Sequence, residues 1–292
     1  MKYGIWNVTE PKADAVNSLV SGGYAPLAAM ILAARGMEDP RQANAYLGHD
    51  APLTDPFRMQ DMATAAQRVN LALQRNERIA VFGDYDVDGI TATCLLTAFL
   101  RSQGGDCIPY IPGRLEEGYG LNPIAIRQLH AEGVKLIVTV DCGITAVEEA
   151  ALCAQMGIDL VITDHHECKA QLPEAVAVVD PHRPDCAYPF KELAGVGVVF
   201  KLICACEAVR AGITPKEALG LMGQRLIDLV AIGTVADVMP LTDENRYIVS
   251  RGLSMLDHTE RPGLSALLDA ISGSGNSKSA SAGGKKPRRK VN

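Results

Sequence analysis

Between Arg78 and Val179 the chain alternates short apolar runs with longer stretches that keep an apolar face. The runs cover residues 79–82 (stopping at Gly83), 107–111, 134–140, 158–163 and 175–179. Most are rich in β-branched residues and short for a stable helix, so each is predicted to be a strand. Between them, residues 90–100, 122–132 (closed by Gly133) and 145–156 (closed by Gly157) are predicted helices. Strands alternating with helices predict an α/β fold, a parallel sheet flanked by helices on both faces. In such sheets ligands collect beyond the carboxyl ends of the strands.

The flanks read as helical. Residues 1–75 are expected to form a helical N-terminal segment, with helices over 26–34 and 61–75. Asp39 is a predicted cap for a helix opened by Pro40. The prolines of residues 51–57 mark a loop. Further on, helices are predicted over 195–210, over 221–230 running on toward Asp237, and over 244–256, with a turn at 212–215. The expected organisation is thus a helical segment (1–75), an α/β domain (76–271) and a disordered tail (272–292) that is Ser/Gly-rich and then basic.

Composition refines this picture. With 48% apolar and 21% charged residues the chain is of ordinary globular type, not a disordered polymer. No run approaches ~18 uninterrupted apolar residues, and the start, MKYGIWNVTEPKAD, lacks a charged-then-apolar leader. No membrane partner and a cytoplasmic location are therefore expected. Residues 272–292 hold six basic side chains and no acid, which leaves 22 basic against 34 acidic groups in the rest, a net of −12. An acidic body argues against a non-specific polyanion binder and suits a site that gathers carboxylates around divalent cations. The eight cysteines form no CxxC pair and are expected to be reduced, mostly buried thiols.

The chemistry-bearing residues follow the strands. Gly83-Asp84-Tyr85-Asp86-Val87-Asp88-Gly89 comes directly after the first. If the extended geometry persists, its alternating acids share one side. Three close carboxylates repel one another unless a cation such as Mg²⁺ or Mn²⁺ neutralises them; an acidic turn capping the next helix is the plainer alternative. Asp141-Cys142-Gly143 follows the third strand, and Asp164-His165-His166-Glu167 the fourth. Asp237 is a lone acid in an apolar neighbourhood and needs a partner if it is buried. These strand ends bring Asp84, Asp86, Asp88, Asp141, Asp164, His165 and His166 to one rim. That is enough for two cations of the kind that activate water against a phosphoryl group.

GDYDVDG, VDCG, TDHHE and TVADVMPL, in this order, resemble the four motifs of the DHH phosphoesterase superfamily. Within it, DPFRMQDM, IPGRLEEGYGLN, VVDPHRPDC and LAGVGVVFKL resemble segments of the RecJ family of single-strand-specific exonucleases, over roughly residues 25–271. The resemblance implies a catalytic lobe with two Mn²⁺ or Mg²⁺ ions, acting 5′ to 3′ on single-stranded DNA in repair and recombination. It implies Asp86 and Asp88 as metal ligands, Asp141 as the bridge, and His165 and Asp237 on the second ion. His166 would face the scissile phosphate or a metal, with Asp84 and Asp164 as supporting acids. Some DHH phosphatases carry a histidine where Phe82 stands, so Asp84 or water is expected to serve the first ion instead. Arg114 and Tyr119 are candidate DNA contacts, as a phosphate fork and a stacking surface.

RecJ-family chains continue into a second lobe and an OB-type domain, neither of which follows here, so a chain truncated to its N-terminal catalytic lobe is expected. Two other readings stand beside it: a DHH phosphoesterase acting on short oligonucleotides or cyclic dinucleotides, and an inactive metal-binding fragment. The sequence names no protein partner. Deleting residues 272–292 is expected to leave the melting temperature nearly unchanged; a large drop in calorimetry would show that the tail packs.

Overall fold

The computed structural model describes residues 8–47, 53–113, 118 and 120–272. It divides into two compact units, Met1–Pro52 and Leu53–Asn292. The first holds α1 (Ala13–Ser21), α2 (Pro26–Ala34) and α3 (Pro40–Leu47) around Leu19, Ala29, Leu32 and Ala43. Asp39 Oδ1 accepts the amides of Arg41 and Gln42, as its place before Pro40 predicts.

The second unit opens with a 3₁₀ turn (Pro56–Arg58) and α4 (Met62–Gln74). There follow β1 (Ile79–Gly83), α5 (Val87–Ser102), β2 (Cys107–Tyr110), α6 (Pro123–Ala131), β3 (Leu136–Val140), α7 (Val147–Gln155), β4 (Asp159–Thr163) and β5 (Ala177–Val179). The helical end comprises α8 (Gly195–Ala211), α9 (Pro215–Ala236), α10 (Asp243–Leu256) and α11 (Pro262–Ile271). The five strands are parallel, in the order β2-β1-β3-β4-β5. The chain steps outward from β1 to β2 and returns to the other side of β1 for β3, so the direction of winding reverses between β1 and β3. A crevice opens at such a switch point, outside the carboxyl ends.

The pleat sorts the side chains into two cores. Ile79, Val81, Leu136, Val138, Val140 and Val179 face α4, α5 and α8. Ala80, Phe82, Ile137, Leu160 and Ile162 face α6 and α7. Phe82 is completely buried on this second face and stacks on Tyr110, with centroids 5.2 Å apart.

The edge strand β5 is closed by side chains rather than by another strand. The Val178 amide donates to Asp61 Oδ2 at 3.2 Å and its carbonyl accepts from Arg183 Nη1. Arg183 Nη1 also donates to Asp61 Oδ2 at 2.7 Å, so one ion pair satisfies both outward groups of the edge.

Among the helices that flank the α/β alternation, three differ from expectation. α9 begins at Pro215, where the expected turn ends, because Thr214 and Glu217 form a capping box. It then runs unbroken to Ala236. Both α1 and α11 lacked a predicted counterpart; α11 is amphipathic and buries no residue fully. By length and composition α9 is apolar enough to cross a membrane (mean hydropathy 1.4), yet 56% of that stretch is buried within the protein. It packs on α5, α8 and α10, so its apolar character serves the core. All eight cysteines are free and six are buried, as expected.

One buried charge pair ties the opening loop to the helical end. Lys201 Nζ donates to Glu244 Oε2 at 2.5 Å and to the Thr54 carbonyl at 2.8 Å. Tyr188 donates to Glu244 Oε1 at 2.7 Å. Glu244→Ala strands the Lys201 ammonium in the core and is expected to cost about 3–5 kcal/mol. Urea denaturation checks this, and a loss below about 1 kcal/mol would show that the pair relaxes to solvent.

Candidate metal centre

The acids after β1 sit in a turn, not in an extended segment. α5 starts at Val87, three residues before the predicted Ile90, and Asp86 is its cap, with Oδ1 accepting the Gly89 amide at 2.9 Å. The alternating geometry therefore does not persist, and the capping reading of Asp86 holds. The turn still directs Asp84 and Asp86 toward the next strand end. Ligand atoms of Asp84, Asp86 and Asp141 all lie within 4.8 Å of one another.

Asp141 follows β3 in the left-handed region (φ 61°), rare for a side chain other than glycine. Its amide donates to the Thr163 carbonyl at 3.1 Å, extending the ladder one residue past the strand. Asp88, in the first turn of α5, reaches across to α8. Its Oδ2 accepts the Gly195 amide at 2.7 Å and its Oδ1 the Val196 amide at 3.0 Å. A carboxylate at a helix N-terminus satisfies two otherwise unpaired donors.

His165 projects from the loop after β4 into this group. Its Nε2 is 3.1 Å from Asp141 Oδ1, 3.6 Å from Asp237 Oδ2 and 3.9 Å from Asp88 Oδ2. Asp237 arrives from another direction, as the residue closing α9. Asp88, His165 and Asp237 form a second cluster within 4.8 Å, and Asp141, His165 and His166 a third. His166 is half-exposed, its Nδ1 2.7 Å from Asp164 Oδ1. Asp164 is buried, and its Oδ1 also accepts the amides of His165 and His166 while Oδ2 accepts that of Ile144. It is therefore the anchor of the loop.

Burial and mutual repulsion shape the ionisation. Burial, then Asp141, pushes Asp88 up to about 7. Burial, then Asp86 and Asp164, pushes Asp141 up to about 9. Burial chiefly raises Asp237. Burial also acts upward on Asp164, but the His166 ring and the amides of Ile144 and His165 outweigh it and hold this carboxyl below its usual range. Its hydrogen bond in turn raises His166 to about 9.

The donor set suits a hard or borderline divalent cation. Clustered carboxylates with one or two imidazoles match Mn²⁺ or Mg²⁺ better than a thiolate metal. His165 Nε2 is buried and makes no hydrogen bond, although three carboxylates surround it. A cation among these groups would remove both the repulsion and the unused nitrogen.

A model of the DHH family, N-terminal domain, matches residues 78–234. The chain belongs to the DHH family. Asp84 through His166 lie inside the match, and Asp237 stands three residues past its end. The chain is 43% identical over 270 residues to the single-stranded-DNA-specific exonuclease RecJ of Bacillus subtilis (strain 168), covering 92% of this chain and 33% of that protein. It is similar to the crystal structure of an exonuclease RecJ bound to manganese (36% identity, TM-score 0.66, 76% of this chain and 54% of that one). It is also similar to RecJ of Thermus thermophilus in complex with Mn²⁺ (30% identity, TM-score 0.74, 90% and 36%). The chain spans about a third of the length of the first curated relatives it matches.

Every predicted ligand candidate of this DHH chain reaches the rim. Arg114 and Tyr119 lie outside the described residues. Two features escaped sequence reasoning: the hold of α8 on Asp88, which is long-range, and Asp180. Asp180 follows β5 as the other acids follow their strands, so the signal was present. It is fully buried, its Oδ1 accepts the His182 amide at 2.7 Å, and its Oδ2 makes no hydrogen bond.

Burial pushes Asp180 up to about 7, above its unfolded value of 3.8, so the folded state holds this proton more tightly. That contribution is present at low pH and is lost as pH rises from about 4 to about 7. Asp180→Asn keeps the acceptor for His182 and removes the titration. Its stability relative to the parent is expected to rise between about pH 4.5 and about pH 8 in urea denaturation with EDTA. An equal difference at both pH values would contradict this.

Proposed function

We propose that this chain is the metal-dependent phosphodiesterase lobe of a 5′-to-3′ exonuclease acting on single-stranded DNA in repair and recombination. The observation that carries the reading is the convergence of five carboxylates (Asp84, Asp86, Asp88, Asp141, Asp237) and two imidazoles (His165, His166) on one rim. The likeness to RecJ exonucleases over most of the chain supports the substrate class. Acting on DNA, the lobe works in the cytoplasm.

Asp84 and Asp86 would hold one divalent cation, Mn²⁺ or Mg²⁺, and Asp88, His165 and Asp237 a second. Asp141 would serve both, since it belongs to the cluster of the first and lies 3.1 Å from His165 of the other. Phe82 fills the core and offers no ligand; Asp84 would serve the first ion in its place. When bound, two such ions lower the pKa of a water and neutralise charge on a phosphoryl group. His166, kept protonated by Asp164, donates a charge-assisted hydrogen bond to a phosphate oxygen. Asp164 orients this ring and fixes the loop that carries both histidines. Arg114 is assigned a phosphate and Tyr119 a base face, on their side-chain chemistry.

Release of nucleotides from 5′-labelled single-stranded DNA with Mn²⁺ tests the reading. Asp141→Ala is expected to abolish both release and paired metal binding. His166→Ala should lower turnover by about 10²–10⁴ with Mn²⁺ affinity within a few-fold of the parent. Equal loss of metal in both variants would refute this division of roles. Turnover of a dinucleotide but not of longer strands would move the substrate to short oligonucleotides, and metal binding without hydrolysis would mark an incomplete enzyme.

A further inference from the structure

Two helical glycines stand against the ligand carboxylates. Gly195 opens α8, and a Cβ there would lie 2.6 Å from Asp141 Cβ and Oδ1. Gly233 lies in α9, and a Cβ there would lie 2.7 Å from Asp88 Oδ1 and 2.5 Å from Thr91 Oγ1. Atoms do not approach so closely, so any larger residue forces something to shift. Crowding is not general to helical glycines here, because a Cβ at Gly220 in the same α9 meets nothing within 4 Å.

What would shift is the spacing of the clusters. The Gly195 amide holds Asp88 Oδ2, while its missing side chain makes room for Asp141. Asp141 yields little, because its amide is bonded to Thr163 in a left-handed conformation on a short side chain. A methyl group at 195 therefore drives Asp141 and α8 apart, and Asp88 follows α8. Gly233 stands one turn before Asp237, whose amide donates to the Gly233 carbonyl at 2.9 Å. A methyl group at 233 backs α9 away from Asp88 and carries Asp237 with it.

We infer that Gly195 and Gly233 are positioning residues of the metal centre, whose missing side chains set the distances among Asp88, Asp141 and Asp237. This rests on the two-ion reading proposed above. A glycine inside a helix is less favourable than alanine, so Gly233 is there at a cost to α9. The close approach it permits is the compensating gain.

The test uses the full chain with Mn²⁺ alone, read by calorimetry and by electron paramagnetic resonance. The parent is expected to bind two ions with an exchange-coupled spectrum. Gly195→Ala and Gly233→Ala should bind about 10- to 100-fold more weakly and show uncoupled Mn²⁺, with native far-ultraviolet circular dichroism in EDTA. Gly220→Ala should match the parent in every readout. If Gly195→Ala does not fold, Gly233→Ala decides the matter, since it reaches Asp88 rather than Asp141. A coupled pair at parental affinity in the alanine variants would overturn the inference and leave the two-ion reading standing. A parent that binds no coupled pair would overturn both.

Discussion

Several carboxylates are forced together in a place that water barely reaches, and much of the second unit is arranged around that repulsion. Asp88 and Asp141 are both buried, and His165 lies within 4 Å of each. Like charges at this range cannot all remain ionised in a poorly solvated site without a counter-charge. Proton uptake is one answer, and the raised Asp88 and Asp141 reflect it. Divalent cations are another, and the one that makes the site chemically useful.

The scaffold holds these groups at three kinds of ending. Strand ends supply Asp84, Asp141 and Asp164; the start of α8 supplies the amides that hold Asp88; the end of α9 supplies Asp237. Each is a point where regular backbone bonding stops and a polar group is needed. Rigidity comes from further out. The Asp61–Arg183 pair closes the β5 edge beside the DHH loop, and the Lys201–Glu244–Tyr188 network ties α8 to α10 in the core. Moving any ligand means moving an anchored element, which is the condition for a preorganised site.

The two histidines of one motif have been given separate surroundings. His165 is buried among carboxylates with its Nε2 toward Asp88, Asp141 and Asp237, whereas His166 is half-exposed and charged through Asp164. One therefore suits a ligand and the other a contact to an anionic substrate. Adjacent residues in a loop point in different directions, so the separation follows from chain geometry once Asp164 fixes the loop by its three amide bonds.

Much of this was legible in the chain itself. Strands were readable because each is a short apolar run stopped by a polar residue, and the rim followed because parallel strands end together. Asp84, Asp141 and Asp164 were found by that rule, and Asp180 obeys it equally, though no unusual neighbour drew notice to it. The extended reading of Asp84–Asp88 failed because the capping strength of Asp86 starts α5 sooner than the apolar pattern does. The start of α9 was missed because Thr214-Pro215 reads as a turn until Glu217 is counted with it. By itself, the sequence determined the α/β architecture, the acidic rim and the family. Only the tertiary structure decided that α8 grips Asp88 across 107 positions of chain, that Gly195 leaves room for Asp141 and Gly233 for Asp88, and that His165 faces Asp88, Asp141 and Asp237. Those are contacts between elements, and local pattern carries no record of distance between residues so far apart.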